Sequence, residues 1–375
     1  MNARPQTLPS PLALARPEIL ELEPYSHASW EPQLERLHAN ELPWRSAFDP
    51  TRAGLNRYPE PQPRALVEGL AALYGVAPAA LLVGRGSDEA IDLLTRAFCR
   101  AGADSVLLCP PTFGMYAVAA RIQGAEVVRV PLLDAERGFA LDVPQVLARC
   151  DARVKLVYVC SPNNPTGNRV DERTLLALAD ALAGRALLVL DEAYIEFSGA
   201  ASLASEVARH PYLAVLRTLS KAHGLAGARC GALIAAPEIV SLLRKIIPPY
   251  AMTQMTIESV LAALEPRELA AAADRVATIR AERSRLAERL RALPCVVRVF
   301  PSEANFLLVE LRDASSAFAH ARAAALLVRD VRAHPGLGRH LRITVGTPEQ
   351  NTRLVAALAR AGDARSARAQ QRAIP

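Results

Sequence analysis

The sequence predicts an α/β protein with a large domain, its mostly parallel sheet sandwiched by helices, and a smaller α+β domain. Three observations carry this. Between Leu66 and Pro248 short apolar runs alternate with helical patterns, as parallel strands covered on both faces require. After Pro266 the texture changes to one long Ala/Arg/Glu helix, then strands, then another helix, which is an α+β order. A chain of 375 residues that is 51% hydrophobic has material for about two domains and a large core.

In chain order, residues 1–54 are proline-punctuated without strong periodicity and read as an arm that also contributes to the small domain. Residues 55–260 form the large domain. Its strands are expected at Ser105–Cys109, Glu126–Val130, Val154–Val159, Ala186–Leu190 and Ala232–Ala235, with a helix from Asp171 to Ala183 ended by a glycine. Residues 261–362 form the small domain: the long helix through Leu293, strands at Val296–Phe300, Asn305–Glu310 and Leu341–Val345, and a helix near Ala314–Ala325. Residues 363–375, with their run of arginines, read as a disordered tail. No internal repeat is visible.

Composition excludes several function classes. Net charge is +6 and the pI about 9.2, but the basic residues are dispersed and aromatics are only 5% of the chain, so nucleic-acid binding is not expected. The six cysteines contain no Cys-x-x-Cys pair and the seven histidines no His-Glu-x-x-His, which argues against zinc and disulfides. No run reaches the length of a membrane span, and Met1–Pro24 lacks the apolar stretch of a signal peptide. A cytoplasmic location is expected.

Chemistry enters through the lysines, which supply only three of the 44 Lys and Arg residues. Arginine serves wherever charge suffices, but it cannot act as an amine nucleophile. Lys155 and Lys245 read as chance survivors. Lys221 follows the apolar run Leu213–Leu216 and sits after Thr218 and Ser220, before a glycine-rich turn and Arg229. A lysine that can condense with an aldehyde, beside donors for a phosphate dianion, is what pyridoxal 5′-phosphate requires.

In α/β sheets ligands collect beyond the carboxyl ends of strands, and three further strand ends carry suitable residues. Leu81–Val83 leads into Gly84-Arg85-Gly86-Ser87-Asp88 and a helix, an anion site or simply an N-cap. Leu156–Cys160 leads into Ser161–Gly167, a good turn in which an asparagine amide could donate to a ring oxygen. Ala186–Leu190 ends in Asp191-Glu192-Ala193-Tyr194. No Gly-x-x-x-x-Gly-Lys-Ser/Thr accompanies Asp191, so a nucleotide-hydrolysis role lacks its partner motif. A carboxylate there would instead keep a pyridine nitrogen protonated.

Together with Asn40-Glu41, Leu55–Glu60, Cys109–Tyr116, Asp191–Phe197, Thr218–Gly231, Ser302–Phe306 and Leu341–Thr347, these segments resemble the fold type I superfamily of pyridoxal-phosphate enzymes. Within it they resemble the histidinol-phosphate aminotransferases. The resemblance implies that Lys221 is the Schiff-base lysine, Asp191 the partner of the pyridine nitrogen, and Tyr194 with Asn164 the donors to the ring oxygen. It implies that Tyr116 stacks on the cofactor face, and that Ser87, Asp88, Ser220, Arg229 and Thr218 hold the phosphate. Tyr58 would reach that phosphate from the second subunit of a homodimer with shared active sites. Arg342, Arg329 and Tyr25 would hold the anionic end of the substrate, with Asn40 nearby; an Arg329–Asp330 pair is the structural alternative. His223 departs from the family pattern and is expected to pack.

The implied reaction transfers the amino group of L-histidinol phosphate to 2-oxoglutarate, giving imidazole-acetol phosphate and L-glutamate. Two rivals share many of these residues: an aromatic or broad-range aminotransferase, and a non-catalytic pyridoxal-phosphate-binding regulator. The latter would normally carry a DNA-binding module, and none of that size precedes Tyr25.

Overall fold

The computed structural model describes residues 9–27, 30–31, 33–135 and 138–372. Its centre is a seven-stranded sheet with spatial order β1-β9-β8-β7-β6-β2-β3. The strands are β1 (Leu81–Gly84), β2 (Ser105–Leu108), β3 (Glu126–Arg129), β6 (Val154–Cys160), β7 (Leu187–Asp191), β8 (Leu213–Thr218) and β9 (Gly231–Ile234). All run parallel except β9, which is antiparallel to both neighbours. Helices cover both faces, so the strands read as continuous apolar runs. Successive residues feed separate cores: Val157, Val159, Leu188 and Leu190 enter one, while Leu156, Tyr158, Leu187 and Val189 enter the other.

Between β3 and β6 lies a hairpin of β4 (Leu133–Ala135) and β5 (Gly138–Ala140) that the sequence pattern did not announce. Phe139 stacks on Phe300 of the small domain at 5.3 Å, which gives this short, half-exposed ribbon its anchor.

The small domain holds an antiparallel sheet of order β10-β11-β13-β12, formed by β10 (Val296–Val299), β11 (Phe306–Leu311), β12 (Arg329–Asp330) and β13 (His340–Thr344). The 26-residue helix Pro266–Arg291 leads into it, with Pro266 at the first helical position, where its missing N–H costs nothing. The preceding helix Gln254–Ala263 puts Ile257 and Val260 in the large-domain core. That helix therefore belongs wholly to the large domain, although it crosses the boundary expected at 260.

Two expectations are corrected. The arm was expected to contribute to the small domain, but its described hydrogen bonds beyond itself reach the large domain: Arg16 N–H to Ala97 O at 2.9 Å, Ser10 to Glu238, and the Arg52 and Ala53 N–H groups to Glu258. Apolar Leu12, Leu14 and Ile19 pack there because the large-domain core offers them a face. Nor is the tail structureless to its end, since the last helix runs from Pro348 to Arg372. Its Ala, Arg and Gln content is strongly helix-forming, and Asn351, Leu354 and Leu358 bury its first turns.

Candidate active site

Strand register assembles the site. Gly84 pairs with Gly231 and Gly231 with Thr218, while Asp191 pairs with Cys160 and with Leu216. Four strand ends and the start of the reversed β9 thus meet along one edge, around a cavity of about 520 Å³.

At one side Gly86, in the left-handed region at φ 83°, precedes the helix Ser87–Phe98, whose first N–H groups lack intrahelical acceptors and favour an anion. Thr218, Ser220 and Arg229 face the same cavity. Arg229 Nη1 lies 3.4 Å from Ser220 Oγ and 3.3 Å from Ala226 O, and Nη2 lies 3.3 Å from Asp88 Oδ2. A Cβ on Gly231 would stand 2.7 Å from Gly86 C and 2.8 Å from Ser87 N, and one on Gly86 would stand 2.8 Å from Arg229 Nη2. Only glycines leave this cradle open, and its backbone N–H, hydroxyl and guanidinium donors suit a phosphate.

Asp191 ends β7 with 3% of its surface exposed. Burial is the largest influence on its carboxyl and leaves it above the usual range, opposed by hydrogen bonds from Tyr116 Oη and Ala193 N–H. Lys221 lines the cavity with its Nζ 5.8 Å from the centre of the Tyr194 ring. Burial, then repulsion by Arg342 and Arg229, holds this amine below the usual lysine range, against the pull of Asp88 and Asp191. A lower pKa means a larger neutral, nucleophilic fraction.

The loop after β6 is fixed by Asn163, whose amide binds Thr112, Pro111 O and Thr166. Asn164 is thereby aimed into the cavity. Its Oδ1 accepts from Arg342 Nη1, which leaves its NH₂ group to donate elsewhere. Tyr194 lines the cavity edge-on to Phe306 at 5.2 Å.

From the small domain come Arg329 and Arg342, paired across β12 and β13. Arg342 Cζ lies 5.2 Å over the Phe306 ring, and its buried Nε has no partner among the described residues. The alternative Arg329–Asp330 pair is not what forms. Arg332 takes Asp330 at 2.6 Å and holds its carboxyl down to about 2, chiefly through that hydrogen bonding. The Arg329 side chain faces the cavity instead.

Four expected residues lie elsewhere. Tyr116 was expected to stack on a cofactor face; it is fully buried, stacked on Tyr158 at 4.7 Å, and bonds Asp191 from beneath. The helix Met115–Gln123 begins just before it and turns it inward, so Phe113 forms the cavity wall. Tyr25, Asn40 and Tyr58 are on the arm side and outside this chain's cavity lining. Tyr25 is 68% exposed, and Tyr58 stacks on Tyr250 at 4.5 Å. Their segment is held mainly by its own contacts, such as Arg36 and Arg57 on Glu41.

His223 is half-buried outside the lining, where burial is the main influence lowering its pKa and Glu196, Arg217 and Arg275 are the charges that act on it. Sequence reasoning missed Phe113 and His334, which both line the cavity. Phe113 was signalled by its place just before the helix. His334 sits in an aperiodic loop and carried no signal; burial, then Arg329 and Arg342, lowers its pKa.

Comparison with known proteins adds the context. The family model described as aminotransferase class I and II matches residues 44–358. The chain is 51% identical over 350 residues to the histidinol-phosphate aminotransferase of Stenotrophomonas maltophilia (strain R551-3), covering 92% of this chain and 96% of that one. It is 48% identical over 359 residues to the enzyme of that name from Xylella fastidiosa (strain 9a5c), covering 93% and 96%. Among solved structures, histidinol-phosphate aminotransferase from Sinorhizobium meliloti, in complex with pyridoxal-5′-phosphate, superposes with a TM-score of 0.74 at 28% identity, covering 83% of this chain and 84% of that one.

Proposed function

This chain belongs to the class I and II aminotransferases, and we propose that it moves the amino group of L-histidinol phosphate to 2-oxoglutarate, giving imidazole-acetol phosphate and L-glutamate. The cofactor is pyridoxal 5′-phosphate, and the donor set fits it. Lys221 would hold its aldehyde carbon, Asp191 its ring nitrogen, and Tyr194 with the free Asn164 amide its ring oxygen. The Gly86–Asp88 N–H groups, Thr218, Ser220 and Arg229 would hold its phosphate, against the Phe113 wall. When bound, it carries the amino group between the two half-reactions and spreads the charge that develops on the substrate's α-carbon.

The protein's own residues do the rest. Lys221, once free, has an amine whose lowered pKa suits it to take the proton from the substrate α-carbon. Asp191, buried at the end of β7 and hydrogen-bonded by Tyr116 and Ala193, would hold a proton on the ring nitrogen. Arg329 and Arg342 present planar forks that accept a phosphate or a carboxylate, so both substrates can enter one pocket.

The observation that carries this reading is one cavity that brings Lys221 together with Arg229 from the large domain and Arg342 from the small one. The test is a donor screen on the cofactor-loaded protein, following conversion to pyridoxamine phosphate. Conversion by histidinol phosphate and not by phenylalanine is expected. Conversion by phenylalanine at equal rate would make it a broad-range enzyme, and bound cofactor with no transfer to 2-oxoglutarate would leave only a binding protein.

A homodimer with shared sites belongs to the same reading. It is supported by the exposed apolar residues of the arm, Leu37 at 92%, Trp44 at 77% and Phe48 at 94%, which a lone chain would leave in water. A cytoplasmic setting belongs to it as well, in keeping with six cysteines that are dispersed along the chain and buried.

A further inference from the structure

Asp191 reaches the cavity with both oxygens engaged from the protein side. Ala193 N–H donates to Oδ1 at 3.0 Å and Tyr116 Oη donates to Oδ2 at 2.7 Å. The Tyr116 ring is fully buried, lies flat on Tyr158 at 4.7 Å and 10°, and stands edge-on to Phe113 at 5.5 Å and 83°. Held on two sides, the ring fixes where its hydroxyl oxygen sits, against Asp191 and beside the Cys160 thiol. The Tyr158 hydroxyl is occupied elsewhere, 3.2 Å from Thr95 Oγ1 and 3.3 Å from Ile91 O.

A carboxyl buried this deeply drifts toward its neutral form, and a proton kept on Asp191 is a proton withheld from whatever it faces. A hydroxyl donor opposes that drift, because it bonds the ionised form more strongly. The other charges acting on Asp191 are Asp88 and Lys221, which push in opposite senses. The Tyr116 hydroxyl and the Ala193 amide therefore remain as the donors that favour ionisation.

We propose that Tyr116 is a positioning residue for the proposed reaction: its hydroxyl keeps Asp191 ionised and turns the carboxylate so that the proton resides on the ring nitrogen of bound pyridoxal phosphate. This rests on the aminotransferase reading, which brings that ring to Asp191. Tyr116 touches neither substrate nor cofactor; it acts through Asp191 alone.

The test compares Tyr116→Phe with Tyr158→Phe, each of which deletes one buried hydroxyl from the same stacked pair. Both proteins are loaded with cofactor labelled with ¹⁵N in the ring, and the nitrogen signal is read by NMR beside steady-state kinetics. Tyr116→Phe is expected to move the signal from the protonated toward the unprotonated position and to lower kcat about 10- to 100-fold with KM within about 3-fold. Tyr158→Phe is expected to leave both at wild-type values. An unmoved signal in Tyr116→Phe, or an equal move in Tyr158→Phe, overturns the proposal.

If Tyr116→Phe does not fold, site-specific 3-fluorotyrosine at position 116 keeps the shape and strengthens the donor. It is expected to retain the protonated signal, and loss of that signal overturns the proposal. The ring-nitrogen comparison can be read even in a protein that transfers no amino group, so failure of the functional reading and failure of this one are distinguishable.

Discussion

Arg342, on the small-domain strand β13, donates a hydrogen bond to Asn164 Oδ1 on the large-domain loop after β6. One guanidinium thus ties a large-domain amide to the small-domain side of the cavity, and in the proposed reaction its remaining donors would face the substrate.

Arg342→Lys keeps the charge and loses the fork. A single ammonium cannot bind Asn164 and grip an anion bidentately. KM for both the amino donor and 2-oxoglutarate is expected to rise about tenfold or more, near 1.4 kcal/mol, with cofactor affinity changed by less than about 3-fold. Steady-state kinetics for each substrate and a cofactor titration check this.

Gly231→Ala strikes the phosphate cradle. Its Cβ would meet three backbone atoms, Gly86 C at 2.7 Å, Ser87 N at 2.8 Å and Arg217 O at 2.9 Å, and none can step aside as a side chain would. Overpacking of this kind costs about 1–3 kcal/mol. A lower melting temperature is expected together with at least tenfold weaker cofactor binding, read by thermal scans and equilibrium dialysis.

Lys221→Met gives a pH test on cofactor-free protein. The folded state lowers the lysine pKa, so a protonated Lys221 opposes folding. That penalty is complete below the folded pKa and vanishes as pH rises toward the unfolded value of about 10.4. The variant is expected to melt above the parent near pH 7, with the gap closing above pH 10. A gap that widens with pH would reverse the sign and refute the argument.

Glu196→Ala tests the buried pair beneath the site. The Arg217 guanidinium is 7% exposed, with Glu196 at 2.7 Å and Glu192 at 3.5 Å. Removing the nearer carboxylate leaves a poorly compensated buried charge, which costs about 3 kcal/mol or more. The unfolding midpoint in urea is the measurement, and a loss under about 1 kcal/mol would contradict it.

Leu37→Asp combined with Phe48→Asp is expected to convert a dimer to a monomer in sedimentation and to reduce activity at least tenfold. A monomeric parent protein of full activity would remove the shared-site reading.

The large domain was legible because β6, β7 and β8 are buried on both faces and so carry unbroken apolar runs; Asp191 and Lys221 follow directly from those runs. Tyr116 was misread because Phe113-Gly114-Met115-Tyr116 offers two aromatics, and only the start of the helix at Met115 decides which turns inward. The β4–β5 hairpin and His334 escaped because two- and three-residue strands and the loops around them have no period to detect. Tyr25, Asn40 and Tyr58 lie outside this chain's cavity lining, and no local pattern ties them to it.

Phe306 meets the edge of Tyr194 and lies under the Arg342 guanidinium, 5.2 Å from each. The tyrosine belongs to one domain; the phenylalanine and the arginine belong to the other. Any tilt of the smaller domain must therefore carry the Arg342 guanidinium and the wall behind the tyrosine together, so that in the proposed reaction two chemical duties share a single mechanical bearing.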